Sequence, residues 1–263
     1  MLTFASICPH PPIIIPTIGR PSDLKLVSKT IEALEDLAQT FKETDPETVI
    51  VISPHGPVNF DEFTLTSSPV LAGHFYHFGN FQAEFIFRND EKLVEVLKQG
   101  CEKAKIPLRL IELKELDHGT LVPLFYLTKG KSDIKVVPLA YCGLDLKRHF
   151  EFGKLLYEIV KREDKKIAIV ASGDLSHRLL PEAPGGFSPK GKEFDEKLVK
   201  LLEKKDIKGI LNMRPGLVRE AGECGYRSIL ILLGALDNLD WQPEILSYEG
   251  PFGVGYLVTN FKF

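Results

Sequence analysis

Ala168-Ile169-Val170-Ala171-Ser172-Gly173-Asp174-Leu175-Ser176-His177 is the stretch that decides the fold. Its first half is an unbroken apolar run that reads as a buried strand, and a histidine follows shortly after the run stops. Two other stretches repeat the pattern. Ala5-Ser6-Ile7-Cys8-Pro9-His10-Pro11-Pro12 ends an apolar run over residues 2–7, and Val49-Ile50-Val51-Ile52-Ser53-Pro54-His55-Gly56-Pro57 ends one over 48–52. In open α/β sheets, ligands bind in the crevice beyond the carboxyl ends of the strands. If these three strands are parallel neighbours, His10, His55 and His177 converge there. The prolines before His10 and His55 stiffen the loops that present them.

Working outward, apolar spacing (Leu24, Val27, Ile31, Leu34, Leu37, Phe41) predicts one amphipathic helix over 21–44 with Ser22 as its N-cap. Residues 60–87 are aromatic and partly alternating, which predicts an antiparallel hairpin with turns near Gly73 and Gly79. Helices are expected over 90–105, 120–127 and 146–162, and strands over 108–113, 135–141 and 166–172. Two helices fill 190–213, a third runs over 217–236, and strands near 244–248 and 255–261 close the chain. No Gly/Ser linker, charge block or repeat divides the sequence, so residues 1–263 read as a single domain. The fold class is α/β, a three-layer sandwich around a mixed, mostly parallel central sheet.

Composition narrows the function classes. The 263 residues are 44% hydrophobic and 26% charged, which excludes a disordered or fibrous chain. Lys+Arg 33 against Asp+Glu 36 leaves a net charge of −3, with no basic surplus for nucleic acid. Four cysteines, at 8, 101, 142 and 224, form no CxxC pair or disulfide framework, and a reducing cytoplasm fits them. The proline-broken N-terminal stretch lacks the basic leader of a signal peptide. No apolar run approaches the roughly 20 residues of a membrane helix. The chain is expected to be cytoplasmic, with no membrane or nucleic-acid partner. Strands left uncovered near the C-terminus leave room for a homo-oligomer.

Chemistry rests on the histidines. A lone histidine after a strand is usually a hydrogen-bonded loop residue, whereas two Pro-His elements plus Gly-Asp-Leu-Ser-His favour a shared site. His118, in Leu116-Asp117-His118-Gly119-Thr120, is a fourth candidate, with Asp117 as the alternative reading's helix N-cap. His74 and His77 read as structural or rim residues, and His149 as a solvated residue in the first turn of a polar helix. A further donor is sought in Arg219-Glu220-Ala221-Gly222-Glu223-Cys224-Gly225-Tyr226. Glu223 shares a helical stripe with Tyr226, Leu230 and Leu233 and so points inward, or else lies in an exposed first turn. Cys224 is the competing donor; a thiolate suits a softer metal and a carboxylate a harder one.

His10 in CPHPP, His55 in SPHGP, His118 in DHGTLVPL, His177 in SGDLSH and the segment AGECGYRSILILLGAL resemble the catalytic subunit of class III (LigB-type) extradiol ring-cleavage dioxygenases and the related Memo proteins. The resemblance runs in order along nearly the whole chain. It implies a non-haem Fe(II), held by His10, His55 and Glu223 with Cys224 as the alternative ligand, although Zn or another divalent metal also suits the set. It further implies His177 as the acid/base, Asp174 as its support and His118 as a substrate-contacting residue. The substrates would be a catechol-type aromatic and dioxygen. The ring-cleaving members carry a tryptophan after the glutamate ligand. Here the aligned residues are Tyr226-Arg227-Ser228-Ile229, and Trp241 is the only tryptophan. Cys224-Gly225 matches the Memo pattern, for which metal or ligand binding without ring cleavage is implied. Metal-dependent hydrolysis by an activated water is a third reading.

Overall fold

The computed structural model describes residues 1–131 and 133–263. The chain runs β1 (Leu2–Cys8), α1 (Pro21–Leu26), α2 (Ser28–Thr44), β2 (Thr48–Ser53), β3 (Phe63–Thr66), β4 (Val70–Phe75), β5 (Asn80–Asn89), α3 (Glu91–Ala104), β6 (Leu108–Ile111), α4 (His118–Leu127), β7 (Lys135–Ala140), α5 (Leu146–Val160), β8 (Ile167–Ser172), α6 (Pro189–Glu203), α7 (Ile207–Leu211), α8 (Pro215–Ala221), α9 (Tyr226–Leu236), β9 (Gln242–Glu249) and β10 (Tyr256–Lys262). The strands form one ten-stranded sheet in the order β4-β5-β7-β2-β8-β1-β10-β9, with β3 also pairing β7 and carrying β6. Its centre is parallel: β8 lies between β1 and β2, and β7 lies outside β2. β10 and β9 continue the sheet antiparallel beyond β1. This is the α/β, mixed and mostly parallel sheet expected from the sequence.

Period-2 alternation explains why both faces of the central strands are apolar. Val49, Val51, Ala168 and Val170 face one layer, where α2 contributes Leu34, Leu37 and Phe41 and α4 contributes Leu121 and Val122. Ile50, Ile52, Ile167, Ile169 and Ala171 face the other, against α3, α5 and α9. Fully burying such side chains stabilises by about 1.5–3 kcal/mol each. The site therefore stands on a rigid floor. No helix among the described residues is long and apolar enough to cross a membrane.

Five expectations are corrected. The helix over 21–44 is two helices, broken at Val27, because a distant carboxylate reaches the break: Glu249 of β9 accepts from the Thr30 amide and hydroxyl at the start of α2. Ser22 is not an N-cap but lies inside α1, whose entry is held by the Arg20 amide donating to Asp23. Gly73 is not at a turn; it lies within β4, where Leu121 packs so closely that a Cβ would meet it at 2.5 Å. The reversal occurs over Tyr76–Phe78 and at Gly79, with φ 83°. The helix over 217–236 is divided into α8 and α9, with Gly222 ending α8 at φ 63°. Finally, His149 is fully buried rather than solvated, its ring nitrogens 2.8 Å from the Asp145 carbonyl and 3.1 Å from that of Cys142.

Candidate metal centre

Because β1, β8 and β2 are parallel neighbours, the loops leaving their carboxyl ends emerge side by side. His10 sits at the centre and is only 2% exposed. Its backbone amide donates to Asp174 Oδ1 at 3.0 Å, and its Nδ1 lies 2.8 Å from Ser172 Oγ. The Ser172 hydroxyl donates to the Gly119 carbonyl, so Oγ is left to accept from Nδ1–H. That fixes the tautomer and leaves Nε2 with a free lone pair, directed at His55 Nε2 3.1 Å away.

A serine at the end of β2 performs a related task. Ser53 Oγ accepts from the His55 amide at 3.1 Å and donates to Asp117. Asp117 in turn caps α4, accepting from the Thr120 amide at 3.0 Å and hydroxyl at 2.8 Å. This is the cap position expected of Asp117, and it places His118 beside His55, with ring centroids 4.2 Å apart. The His118 ring also lies 5.5 Å from that of His10 and 5.3 Å from that of Phe78.

The opposite side is built by the loop after β8 and the α8–α9 turn. A Cβ on Gly173 would fall 2.1 Å from Gly225 Cα, so these two glycines allow the segments to touch. The Cys224 and Gly225 amides both donate to the Asp174 carbonyl, and the Asp174 amide donates to Cys224 Sγ at 3.3 Å. Sγ thereby lies 3.5 Å from His10 Nε2 and 3.8 Å from His177 Nε2. Asp174 Oδ2 is 3.9 Å from both His10 Nε2 and His177 Nε2.

Two donor groups result among the described residues, each with its atoms within 4.8 Å of one another: His10, His55 and His118, and His10, Asp174 and Cys224. His10 belongs to both. Glu223 belongs to neither. Because the helix breaks at Gly222, the stripe expected through Glu223 does not continue into α9, and its carboxylate accepts from the Tyr226 amide.

Burial sets the electrostatics. Desolvation holds His10 well below its ordinary value, helped by the neighbouring His55, His118 and His177. It lowers His55 to about 4, with His118 adding and Asp117 opposing, and it lowers His118 and His177. Near neutral pH the cluster is thus a set of neutral imidazoles. Burial raises Asp174 to about 7 against the His10 amide, and raises Glu223 to about 7 against the Tyr226 amide. It also pushes the Cys224 thiol far up, with Asp174 adding.

A cation fits this arrangement. Metal bonds of about 2.1 Å to nitrogen and about 2.3 Å to sulfur put neighbouring donors about 3.0–3.6 Å apart. The His10–His55 and His10–Cys224 separations of 3.1 and 3.5 Å fall in that range. Sequence reading did not single out Ser172, which orients the His10 ring, or Ser53, which holds the His55 backbone amide. Their signal is shared position: each is the last residue of its strand. His74 pairs with Glu115 at 3.0 Å and stacks on Tyr76, apart from both donor groups.

Residues 4–259 match the family model described as the catalytic LigB subunit of aromatic ring-opening dioxygenase. A protein of Clostridium acetobutylicum, named without an activity, is 33% identical over 263 residues; the match covers 97% of this chain and 56% of that protein. The chain thus spans little more than half the length of that relative. The 3,4-dihydroxyphenylacetate 2,3-dioxygenase of Escherichia coli is 25% identical over 78% of this chain and 79% of its own. A MEMO1 family protein of Methanosarcina barkeri is 27% identical over 51% of this chain and 48% of its own. The crystal structure of an uncharacterized protein from Escherichia coli K12 covers 98% of this chain and 99% of its own at 20% identity, with a TM-score of 0.69, a likeness of fold.

Proposed function

This chain belongs to the LigB family of aromatic ring-opening dioxygenase catalytic subunits, and from that premise we propose that it opens a catechol-type ring with dioxygen at a non-haem Fe(II). His10 and His55 would hold the metal; His118 shares a donor group with both, while Cys224 and Asp174 share one with His10 alone. The observation that carries this reading is the 3.1 Å approach of His10 Nε2 to His55 Nε2, with His10 Nδ1 tied to Ser172. When bound, Fe(II) would supply a Lewis-acidic centre with open positions for a diol and dioxygen.

The chain's own residues do the rest. His177, lowered by burial, is neutral near pH 7 and accepts a proton from the diol, then returns it to the oxygenated product. Asp174, fixed by the His10 amide, stands between His10 and His177 and holds the acid/base in register. His118 and Phe78 form the flank along which a flat ring lies.

The test is reconstitution with Fe(II) under anaerobic conditions, followed by a panel of catechols and oxygen. Oxygen uptake with a yellow ring-fission product, lost in His177→Ala, is the expected result. No uptake across the panel by iron-loaded protein overturns the reading.

A second reading is favoured by one observation: Cys224, not Glu223, is joined to His10 and Asp174. It is a Memo-like protein that binds a metal or small ligand without cleaving a ring. Metal binding that survives Cys224→Ala and fails in Glu223→Ala removes its support.

A further inference from the structure

Asp195 of α6 is fully buried, and no cation among the described residues pairs with it. A carboxyl group taken wholly out of water without a counter-ion is costly. It belongs to neither donor group of the cluster. What it touches is the backbone that carries His177.

Asp195 Oδ1 accepts from the Ser176 amide at 2.9 Å, and Oδ2 accepts from the Tyr248 hydroxyl of β9 at 2.7 Å. Tied at both oxygens, the carboxyl cannot turn away from the amide. Ser176 immediately precedes His177, and its other polar groups are engaged as well. Its carbonyl accepts from the Gly255 amide at 2.8 Å, and its hydroxyl donates to the Ala221 carbonyl at 2.9 Å while accepting from the Arg178 amide at 3.0 Å. The His177 amide donates to the same Ala221 carbonyl at 3.2 Å. Ala221 ends α8, three residues before Cys224, so the clamp joins the His177 loop to the turn that carries the thiol. The fit is close on the α6 side. A Cβ on Gly255 would fall 2.2 Å from Asp195 Oδ2, and one on Gly191, in the first turn of α6, would fall 2.4 Å from Ser176 Oγ.

We propose that Asp195 is a positioning residue: through the Ser176 amide it fixes the backbone that presents the His177 ring to the diol. This rests on the reading of His177 as the acid/base, and it adds a hold from behind the loop that Asp174, on the cluster side, does not supply. Proton transfer needs its partners within hydrogen-bond reach, and a displacement of about 1 Å can cost about hundredfold in rate.

Histidine side-chain NMR of the protein, with and without one equivalent of Zn(II), reads the ring's surroundings without needing turnover. The His177 signal, assigned by its loss in His177→Gln, is expected to shift or split in Asp195→Ala, while those of His74 and His149 stay in place. Asp195→Asn keeps an acceptor for the Ser176 amide and restores the wild-type signal. In the Fe(II)-loaded protein, with the catechol that it turns over fastest, kcat should fall roughly 10–100-fold in Asp195→Ala at a KM within about twofold, and recover in Asp195→Asn. Where Asp195→Ala does not fold, Gly191→Ala, which loses no polar group and drives α6 off Ser176, is expected to move the same signal. An unmoved His177 signal in the folded variant, a kcat unchanged in Asp195→Ala, or an Asp195→Asn protein that behaves like Asp195→Ala overturns the inference alone. Absence of turnover of any catechol by the wild type overturns the ring-opening reading, and the His177 signal then decides the positioning by itself.

Discussion

His10 and Cys224 meet at 3.5 Å, yet the chain delivers them by different means. His10 follows β1, whose register with β8 is set by a ladder of backbone bonds from Leu2 to Cys8. Its ring is then oriented by Ser172, the last residue of that same neighbour. Cys224 sits on a turn between two short helical pieces and depends on one glycine-to-glycine contact and four hydrogen bonds with the Asp174 backbone. Strand-borne ligands inherit the rigidity of the sheet. A turn-borne ligand is as well placed only while its tertiary contact holds, so the two walls should respond differently to mutation.

The widest separation is expected between His10→Ala and His149→Ala. Both residues are buried histidines, but His10 is shared by both donor groups whereas His149, in the first turn of α5, spans two carbonyls. His10→Ala should weaken Fe(II) or Zn(II) binding by more than about hundredfold, read by competition with a chromophoric chelator. His149→Ala should leave metal affinity unchanged and lower stability by about 2–4 kcal/mol in urea unfolding, from the cavity and the unpaired carbonyls. Equal metal affinities in the two variants would break the contrast.

Gly173→Ala probes the turn-borne wall. The added methyl overlaps Gly225, so the turn must move, at a cost of about 1–3 kcal/mol in stability. Metal affinity should fall about tenfold, while the near-ultraviolet signal of the core persists. Unchanged affinity would mean that Cys224 does not contribute to the metal.

A smaller effect concerns the loop that carries His177. Asp195 of α6 is fully buried and accepts from the Ser176 amide at 2.9 Å and the Tyr248 hydroxyl at 2.7 Å. Burial raises its carboxyl to about 7 despite both hydrogen bonds. The folded chain therefore keeps a proton that an unfolded carboxyl, near 4, releases. This contribution to stability is full below pH 4, declines between about pH 4 and 7, and is absent above, on the order of 4 kcal/mol in all. Asp195→Asn should flatten that slope in urea unfolding measured at pH 5 and pH 8. A slope identical to wild type would place the proton elsewhere.

The strand-borne half of the site was legible because its signals are local. An apolar run followed by Pro-His marks both a buried strand and a stiff presentation, and His10 and His55 lie where that pattern puts them. The features that were missed all depend on distant residues. The break at Val27 follows from Glu249, more than two hundred residues away in sequence. His149 has polar neighbours in sequence, yet its ring packs against Phe63 at 5.1 Å inside the fold. Between Glu223 and Cys224 the sequence could not choose: the stop of α8 at Gly222 brings the Cys224 sulfur to His10 and leaves the buried Glu223 carboxylate on the Tyr226 amide. Ser53 and Ser172 carry no signal beyond ending their strands, although one holds the His55 amide and the other orients the His10 ring.

The central claim, a metal held by His10 and His55 with Cys224 beside them, is tested most directly by X-ray absorption of the protein loaded with one equivalent of Fe(II) or Zn(II). The account predicts nitrogen scatterers at about 2.1 Å and one sulfur at about 2.3 Å, with the sulfur shell absent in Cys224→Ala and the nitrogen shell depleted in His10→Ala. A shell of oxygen and nitrogen only, identical in wild type and Cys224→Ala, would contradict it.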